Sequence, residues 1–250
     1  MKQLIVNADD FNLTAGVSRG ILEAHARGIV TSTTVLVNLP ADEQLFAELG
    51  QTTLGVGLHV NLTLAEPITS ARELQSLVDA EGKFIRDPQH VARSVRPEEA
   101  EREIRAQYEA FIKRFGVPPT HLDSHHHVGS YSPLREILFH FALTLGIPIR
   151  SIDPSMRDEA RRRGLKTPDH FFGESGPESY WTEARAVELI SRLPQGVSEF
   201  MCHPGYFDES LAYSRYGKQR ETELQGLTAR AVREAIRSSS VVLCHFGALR

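Results

Sequence analysis

Short apolar runs alternate with amphipathic stretches along this chain, and that alternation limits the possible folds more than any other feature. Residues 3–8, 33–37, 54–60, 121–124, 147–152, 197–202 and 240–244 read as seven strands. Residues 15–27, 41–49, 97–115, 182–193 and 220–237 read as helices, and another starts at Ser132-Pro133. The clearest is 97–115. Pro97 suits a first helical position, Glu98 and Glu99 suit the first turn, and Gly116 stops the helix. Ala100, Ile104, Tyr108, Phe111, Ile112 and Phe115 give it one apolar face. Helices following strands in this way favour parallel pairing with right-handed crossovers. The chain has 250 residues, 41% of them apolar, enough for a sizeable core. It shows neither an internal repeat nor a separating linker, so residues 1–250 are expected to form one domain.

The chemistry-bearing residues fall where these strands end. Asn7-Ala8-Asp9-Asp10-Phe11 follows the first strand. Adjacent carboxylates there point different ways, so one can bind a metal while the other acts as a base. They can equally form a turn or cap the next helix. His59 ends the third strand, as a ligand or as a hydrogen-bonded core residue. The chain has 11 His, and His121, His125, His126 and His127 lie within a single short segment. Strand alternation would put His125 and His127 on one side and His126 on the other. Asp123 is a local acceptor for a ligating imidazole. His203 follows the sixth strand and precedes a Pro-Gly turn, where it could serve as a general acid. His245 echoes that position.

Two imidazoles with one carboxylate make a three-ligand site with positions open for water or substrate, as catalytic metals require. Residues gathered from several strand ends favour an incomplete or distorted (β/α) barrel, with its site at the C-terminal face, over an open doubly wound sheet.

Several classes fall away. A formal net charge of −4 makes nucleic acid a poor partner. No apolar run approaches the ~18 residues of a membrane span. The opening run Leu4-Ile5-Val6 is too short for a signal peptide's apolar region. Cys202 and Cys244 alone are no disulfide framework, so a reducing cytoplasm is expected. The chain lacks a phosphate-binding glycine loop, a dinucleotide fingerprint and a nucleophile elbow.

Five segments in order carry a family resemblance: Asn7 to Phe11, Gly28-Ile29-Val30-Thr31-Ser32-Thr33-Thr34, Gly57-Leu58-His59 with Asn61-Leu62-Thr63, His121 to His127, and Met201-Cys202-His203-Pro204-Gly205. Together they resemble the YdjC family of carbohydrate deacetylases, which includes chitooligosaccharide and hopanoid-associated deacetylases. The resemblance implies a distorted seven-stranded (β/α) barrel of the glycoside hydrolase/deacetylase type. It implies metal ligands at Asp10, His59 and His125, with magnesium as the usual metal, although the ligand types also suit zinc. Asp9 matches the base, His203 resembles the acid, and Arg150 resembles a residue that orients the centre or contacts substrate. Gly129 stands where some relatives carry a further His. A homodimer is an expectation from the family alone.

The activity so implied is hydrolysis of an N-acetyl group from an amino sugar or short oligosaccharide. Its rivals are another metal-dependent hydrolase on the same barrel and a sugar-binding protein with a degenerate site. Trp181, Tyr206, Phe207, Tyr213 and Tyr216 could stack on sugar rings or pack in the core. Arg157, Arg161, Arg162 and Arg163 could meet an anionic substrate, or form a solvated face or interface. Residues 61–96, 153–181 and 204–218 are the candidate specificity segments.

Overall fold

The computed structural model describes residues 1–249. In chain order the elements are β1 (Lys2–Phe11), α1 (Ala15–Arg27), β2 (Ser32–Val35), α2 (Glu43–Gly50), β3 (Gly55–Val60), α3 (Pro88–Ser94), α4 (Pro97–Phe115), β4 (Leu122–Ser124), α5 (Leu134–Leu145), α6 (Pro154–Arg162), β5 (His170–Phe172), α7 (Glu183–Ser191), β6 (Gly196–Cys202), α8 (Gln219–Thr228), α9 (Arg230–Ser238) and β7 (Val242–Cys244). The seven strands form one sheet in the order β4-β3-β2-β1-β6-β5, with β7 also paired to β1. The pairings of β1 with β6 and β7, of β3 with β4, and of β5 with β6 are parallel. This is the seven-stranded α/β arrangement expected from the alternation.

The chain divides into two compact units, one of residues 1–34, 42–56 and 168–249, the other of 35–41 and 57–167. In the first, β1 is buried without interruption from Leu4 to Phe11, as befits a strand covered on both faces. Its register with β6 runs from Lys2↔Gly196 to Ala8↔Cys202, so Asp9 and His203 are the next residues of two neighbouring strands. Thr14 caps α1 by accepting from the Val17 N–H. Gly20 lets α1 approach the turn after β6, because a Cβ there would strike the Gly205 backbone. Trp181 is fully buried, stacks on Phe200 at 4.2 Å, and donates its indole N–H to the Met201 carbonyl at 2.6 Å.

In the second unit, α4 has the predicted start, apolar face and left-handed Gly116 stop. It also buries a polar stripe that the apolar periodicity did not show: Glu99, Glu103 and Gln107, four residues apart. Glu99 accepts from the Ser76 N–H and hydroxyl, both at 2.7 Å. Glu103 accepts from the N–H groups of Ile68 and Thr69. Gln107 brackets the Asn61 backbone, accepting its N–H at 3.0 Å and donating to its carbonyl at 2.7 Å. The part of 61–96 that precedes α3 is thus tied down at Asn61, Ile68, Thr69 and Ser76 by buried side-chain to backbone bonds.

Three expectations are corrected. Residues 147–152 make no strand, only an isolated parallel bridge between Leu122 and Ile149. The fifth strand is His170–Phe172, inside the polar stretch 153–181, where α6 also lies. Composition hid it because both elements are short and flanked by charged residues. The helix expected over 220–237 is two helices, α8 and α9, parted at Ala229, whose extended backbone (φ −58°, ψ 143°) interrupts the helical turn.

Candidate active site

At the end of β1, Asp9 is buried and its Oδ1 accepts from the Asn7 side-chain amide at 2.8 Å. Asp10 is buried too, in the left-handed region at φ 75°. That conformation is uncommon outside glycine, although Asp tolerates it. It turns the chain sharply between the two carboxylates, so that adjacent residues take separate surroundings. The Arg220 guanidinium, from the first turn of α8, donates to Asp10 Oδ2 at 2.6 Å and to the Tyr216 carbonyl at 3.0 Å.

His203, at the end of β6, is buried, and its backbone N–H donates to Glu223 Oε2 at 2.6 Å. The ring meets Tyr216 edge-on at 5.3 Å. The Tyr216 hydroxyl donates to Glu223 Oε1, which also takes the Trp181 N–H at 3.4 Å. Glu223 is fully buried, and loss of water pushes its carboxyl above the ordinary range. Burial and the neighbouring carboxylate likewise push the Tyr216 phenol up, so it stays a donor at neutral pH.

In the second unit, register pairs His59 with Asp123 across β3 and β4. His59 Nδ1 lies 2.5 Å from Asp123 Oδ1, with both residues buried. This bond fixes the ring through Nδ1, as an orienting carboxylate does for a metal-binding imidazole. Arg150 Nη1 meets Asp123 Oδ2 at 2.8 Å, and Arg150 is 2% exposed. Its guanidinium therefore backs the carboxylate that orients His59.

His125 follows β4, buried, with its ring 5.4 Å from that of His59 in an edge-on arrangement. The strand does not continue through the triplet. It ends at Ser124, and residues 125–130 form a tight 3-10 turn in which His126 and His127 both have positive φ. Alternation therefore fails there: the His126 ring lies against His125 at 4.0 Å. At Gly129, the space a Cβ would fill is taken by Leu138 and the Ser124 hydroxyl, which also accepts the Gly129 N–H at 2.9 Å.

Other candidates have structural partners. The His245 ring packs beside Gly55, and its Nδ1 accepts from the Gly247 N–H at 3.0 Å. Trp181 and Tyr216 are core residues, whereas Tyr206 and Tyr213 are exposed. Arg163 bridges Glu136 and Glu159, and Arg157 meets Asp158.

The sequence reading missed Arg220 and Glu223. Charged residues on a helix are almost always solvent-facing, and nothing in the pattern of α8 marks these two as buried. The Asn7 amide on Asp9 was legible only as part of a motif.

Comparison with known proteins gives matches of three kinds, to a family, to curated relatives and to a solved structure. A profile of the YdjC-like protein family matches residues 3–238. A carbohydrate deacetylase of Brevibacillus brevis is 39% identical over 99% of this chain and 99% of its own. A chitooligosaccharide deacetylase of Yersinia enterocolitica is 38% identical over 94% of each chain. A crystal structure from Enterococcus faecalis V583, described as a candidate cellobiose-phosphate cleavage protein, matches with a TM-score of 0.90 at 33% identity, covering 99% of this chain and 98% of that one.

Proposed function

The chain belongs to the YdjC-like family, and from that premise we propose that it is a metal-dependent carbohydrate deacetylase. It removes an N-acetyl group from an amino sugar or short N-acetylated oligosaccharide and releases acetate. The observation that carries this reading is full-length kinship with curated carbohydrate and chitooligosaccharide deacetylases.

The donor set supports it. We assign the metal to Asp10, His59 and His125, each of them buried, which offer one carboxylate and two imidazoles. His59 has its second ring nitrogen on Asp123, and Asp10 has its second oxygen on Arg220. Such a set fits a divalent cation: magnesium by family, with zinc the alternative by ligand type. When bound, the cation supplies a Lewis acid that lowers the pKa of water and stabilises charge on the acetyl oxygen. Asp9, held by Asn7, takes the proton from the attacking water. His203, fixed through its backbone by Glu223, donates a proton to the departing amine. Arg150 keeps Asp123, and through it His59, in place.

Residues 1–250 act as one deacetylase domain in this reading, with a small carbohydrate as substrate, neither nucleic acid nor membrane as partner, a homodimer as the family-derived assembly, and the cytoplasm as its place. Among the described residues no helix is long and apolar enough to cross a membrane. The test is acetate release across N-acetylglucosamine, its phosphates, chitooligosaccharides and a phosphorylated disaccharide, with metal content measured on the same sample. Turnover of at least one of them by metal-loaded protein is expected. No release from the whole panel with metal bound sinks the reading.

A further inference from the structure

The deacetylase mechanism leaves a charged hollow of the first unit without a role. Arg27 and Gly28 at the end of α1, with Arg230, Arg233, Glu234 and Arg237 of α9, line a cavity of about 450 Å³. It lies away from Asp9 and Asp10. α1 starts just past those residues and runs for 13 residues, about 20 Å, before it ends at Arg27. α9 leads by a short turn into the start of β7, which is parallel to β1. The hollow is therefore at the end of the sheet where strands begin, whereas the two carboxylates are where β1 ends. Gly28 fixes its wall: a Cβ there would meet the Leu227 carbonyl at 2.5 Å, so the ends of α1 and α8 touch through backbone.

The charges around the hollow do not cancel. Helical spacing puts Arg230, Arg233 and Arg237 on one stripe of α9, while Val232, Ala235 and Ile236 are buried. Like charges so spaced repel, and one carboxylate, Glu234, lies among them. Arg230 Nε bonds Glu234 at 2.6 Å and holds its carboxyl below the ordinary range, with Arg237 and Arg233 acting in the same direction. Arg27 is paired with Glu23 at 2.8 Å. Arg233 donates to the Arg27 carbonyl, which satisfies the last turn of α1. Neither Arg233 nor Arg237 has a carboxylate partner among the described residues. α9 also lacks both a side-chain cap and an acidic residue in its first turn, so the partial positive charge of its N-terminus adds to theirs. Two guanidinium charges thus remain uncompensated beside one cavity, in a chain whose formal net charge is −4.

We propose that this hollow binds a small phosphate ester, at a site separate from the deacetylase centre and independent of that reading. Arg233 and Arg237, one helical turn apart, supply the anion-binding forks, since a planar guanidinium takes phosphate oxygens two at a time. A phosphomonoester carries close to two negative charges at neutral pH and offers three acceptor oxygens, so it compensates both cations. A single carboxylate compensates one. The cavity is within the range of small-molecule sites, roughly 300–1,000 Å³, and so has room for the organic part beside the phosphate.

The test is calorimetric binding of glucose 6-phosphate to the metal-loaded full chain, with glucose and citrate as controls. Saturable binding that weakens as salt is raised is expected for the phosphate ester, and none for glucose. Arg237→Gln breaks no hydrogen bond or ion pair among the described residues and should weaken binding about tenfold, the loss of one charge-assisted hydrogen bond. Changing Arg233 and Arg237 together to Gln should abolish it. Glu234→Gln removes the competing carboxylate and should tighten binding about twofold to fivefold, an effect that a merely structural role for these residues would not produce. No saturable binding at millimolar concentration overturns the proposal. So does binding that is unchanged in Arg237→Gln and in the double variant, which would place the phosphate elsewhere, on the bound cation included. Tighter binding of citrate than of the ester would make this a carboxylate site and overturn the assignment of phosphate.

Discussion

At the ends of β3 and β4 the polar groups support one another locally. His59 faces Asp123 across the ladder, Arg150 backs Asp123, and a strained turn that starts one residue beyond β4 sets His125 and His126. At the ends of β1 and β6 the register brings Asp9 and His203 to neighbouring strand ends, but their support is borrowed. Arg220 reaches Asp10 from 210 residues along the chain, and Glu223, one helical turn further on, holds the His203 backbone. One cluster is fixed by strand register and loop geometry. The other depends on a helix that places two charged side chains where charge is costly to bury. Both clusters contain a buried ion pair, Arg150 with Asp123 and Arg220 with Asp10, but only the second takes its cation from a helix far along the chain.

The largest expected effects separate the clusters by role. Asp9→Asn should keep the metal and lower kcat about 100-fold to 10,000-fold, the usual range for a lost general base. His125→Ala should lose both metal and turnover. Metal analysis beside steady-state kinetics distinguishes them. Loss of metal from Asp9→Asn would mean that the two aspartates exchange roles.

Next come the borrowed supports. Arg220→Met removes one partner of a buried ion pair and should destabilise the metal-free protein by about 3–5 kcal/mol. A divalent cation should restore part of that, because its charge replaces the guanidinium's beside Asp10, so the metal-induced rise in Tm should exceed that of wild type. An equal rise in both proteins would show that Arg220 does not act through Asp10. Glu223→Gln keeps the shape but puts a donor where Tyr216, His203 and Trp181 all donate. It should lower kcat with metal content unchanged, by displacing His203.

The self-supporting cluster should yield less. Asp123→Asn weakens the orientation of His59, and metal affinity should fall about 10-fold to 100-fold. A titration that shows no change would place the control of His59 outside Asp123.

What the sequence made legible follows the same division. The βα alternation exposed the sheet, and the positions of Asp9, Asp10, His59, His125 and His203 were readable because strand ends are marked by a change from apolar to polar residues. Arg220 and Glu223 were not readable, since periodicity shows apolar faces and treats a charged residue on a helix as solvated. The fifth strand was missed for a related reason: His170-Phe171-Phe172 is too short to stand out in a charged stretch, and the apolar Ile147 to Ile152 offered a more strand-like run. His126 was assigned to the wrong side because strand alternation was carried through residues that had already left the strand.

The cluster at β3 and β4 is not wholly local either, and the smallest expected effect measures how far its support extends. Asn61, which positions Thr63 and so the His126 ring, is itself bracketed by Gln107 on α4. The same buried stripe contains Glu99. Burial acts to raise its carboxyl, but the Ser76 hydroxyl and N–H, with Arg96, outweigh it and hold it below the ordinary range. A carboxyl depressed on folding contributes stability above its unfolded pKa and loses it as pH falls through the folded one. Glu99→Gln should therefore cost about 1–3 kcal/mol at pH 7, and its deficit relative to wild type should shrink steadily as unfolding is measured at lower pH. Were the deficit constant from neutral to acid pH, Glu99 would be serving as a neutral acceptor, and the anchoring of 61–96 would rest on Glu103 and Gln107 instead.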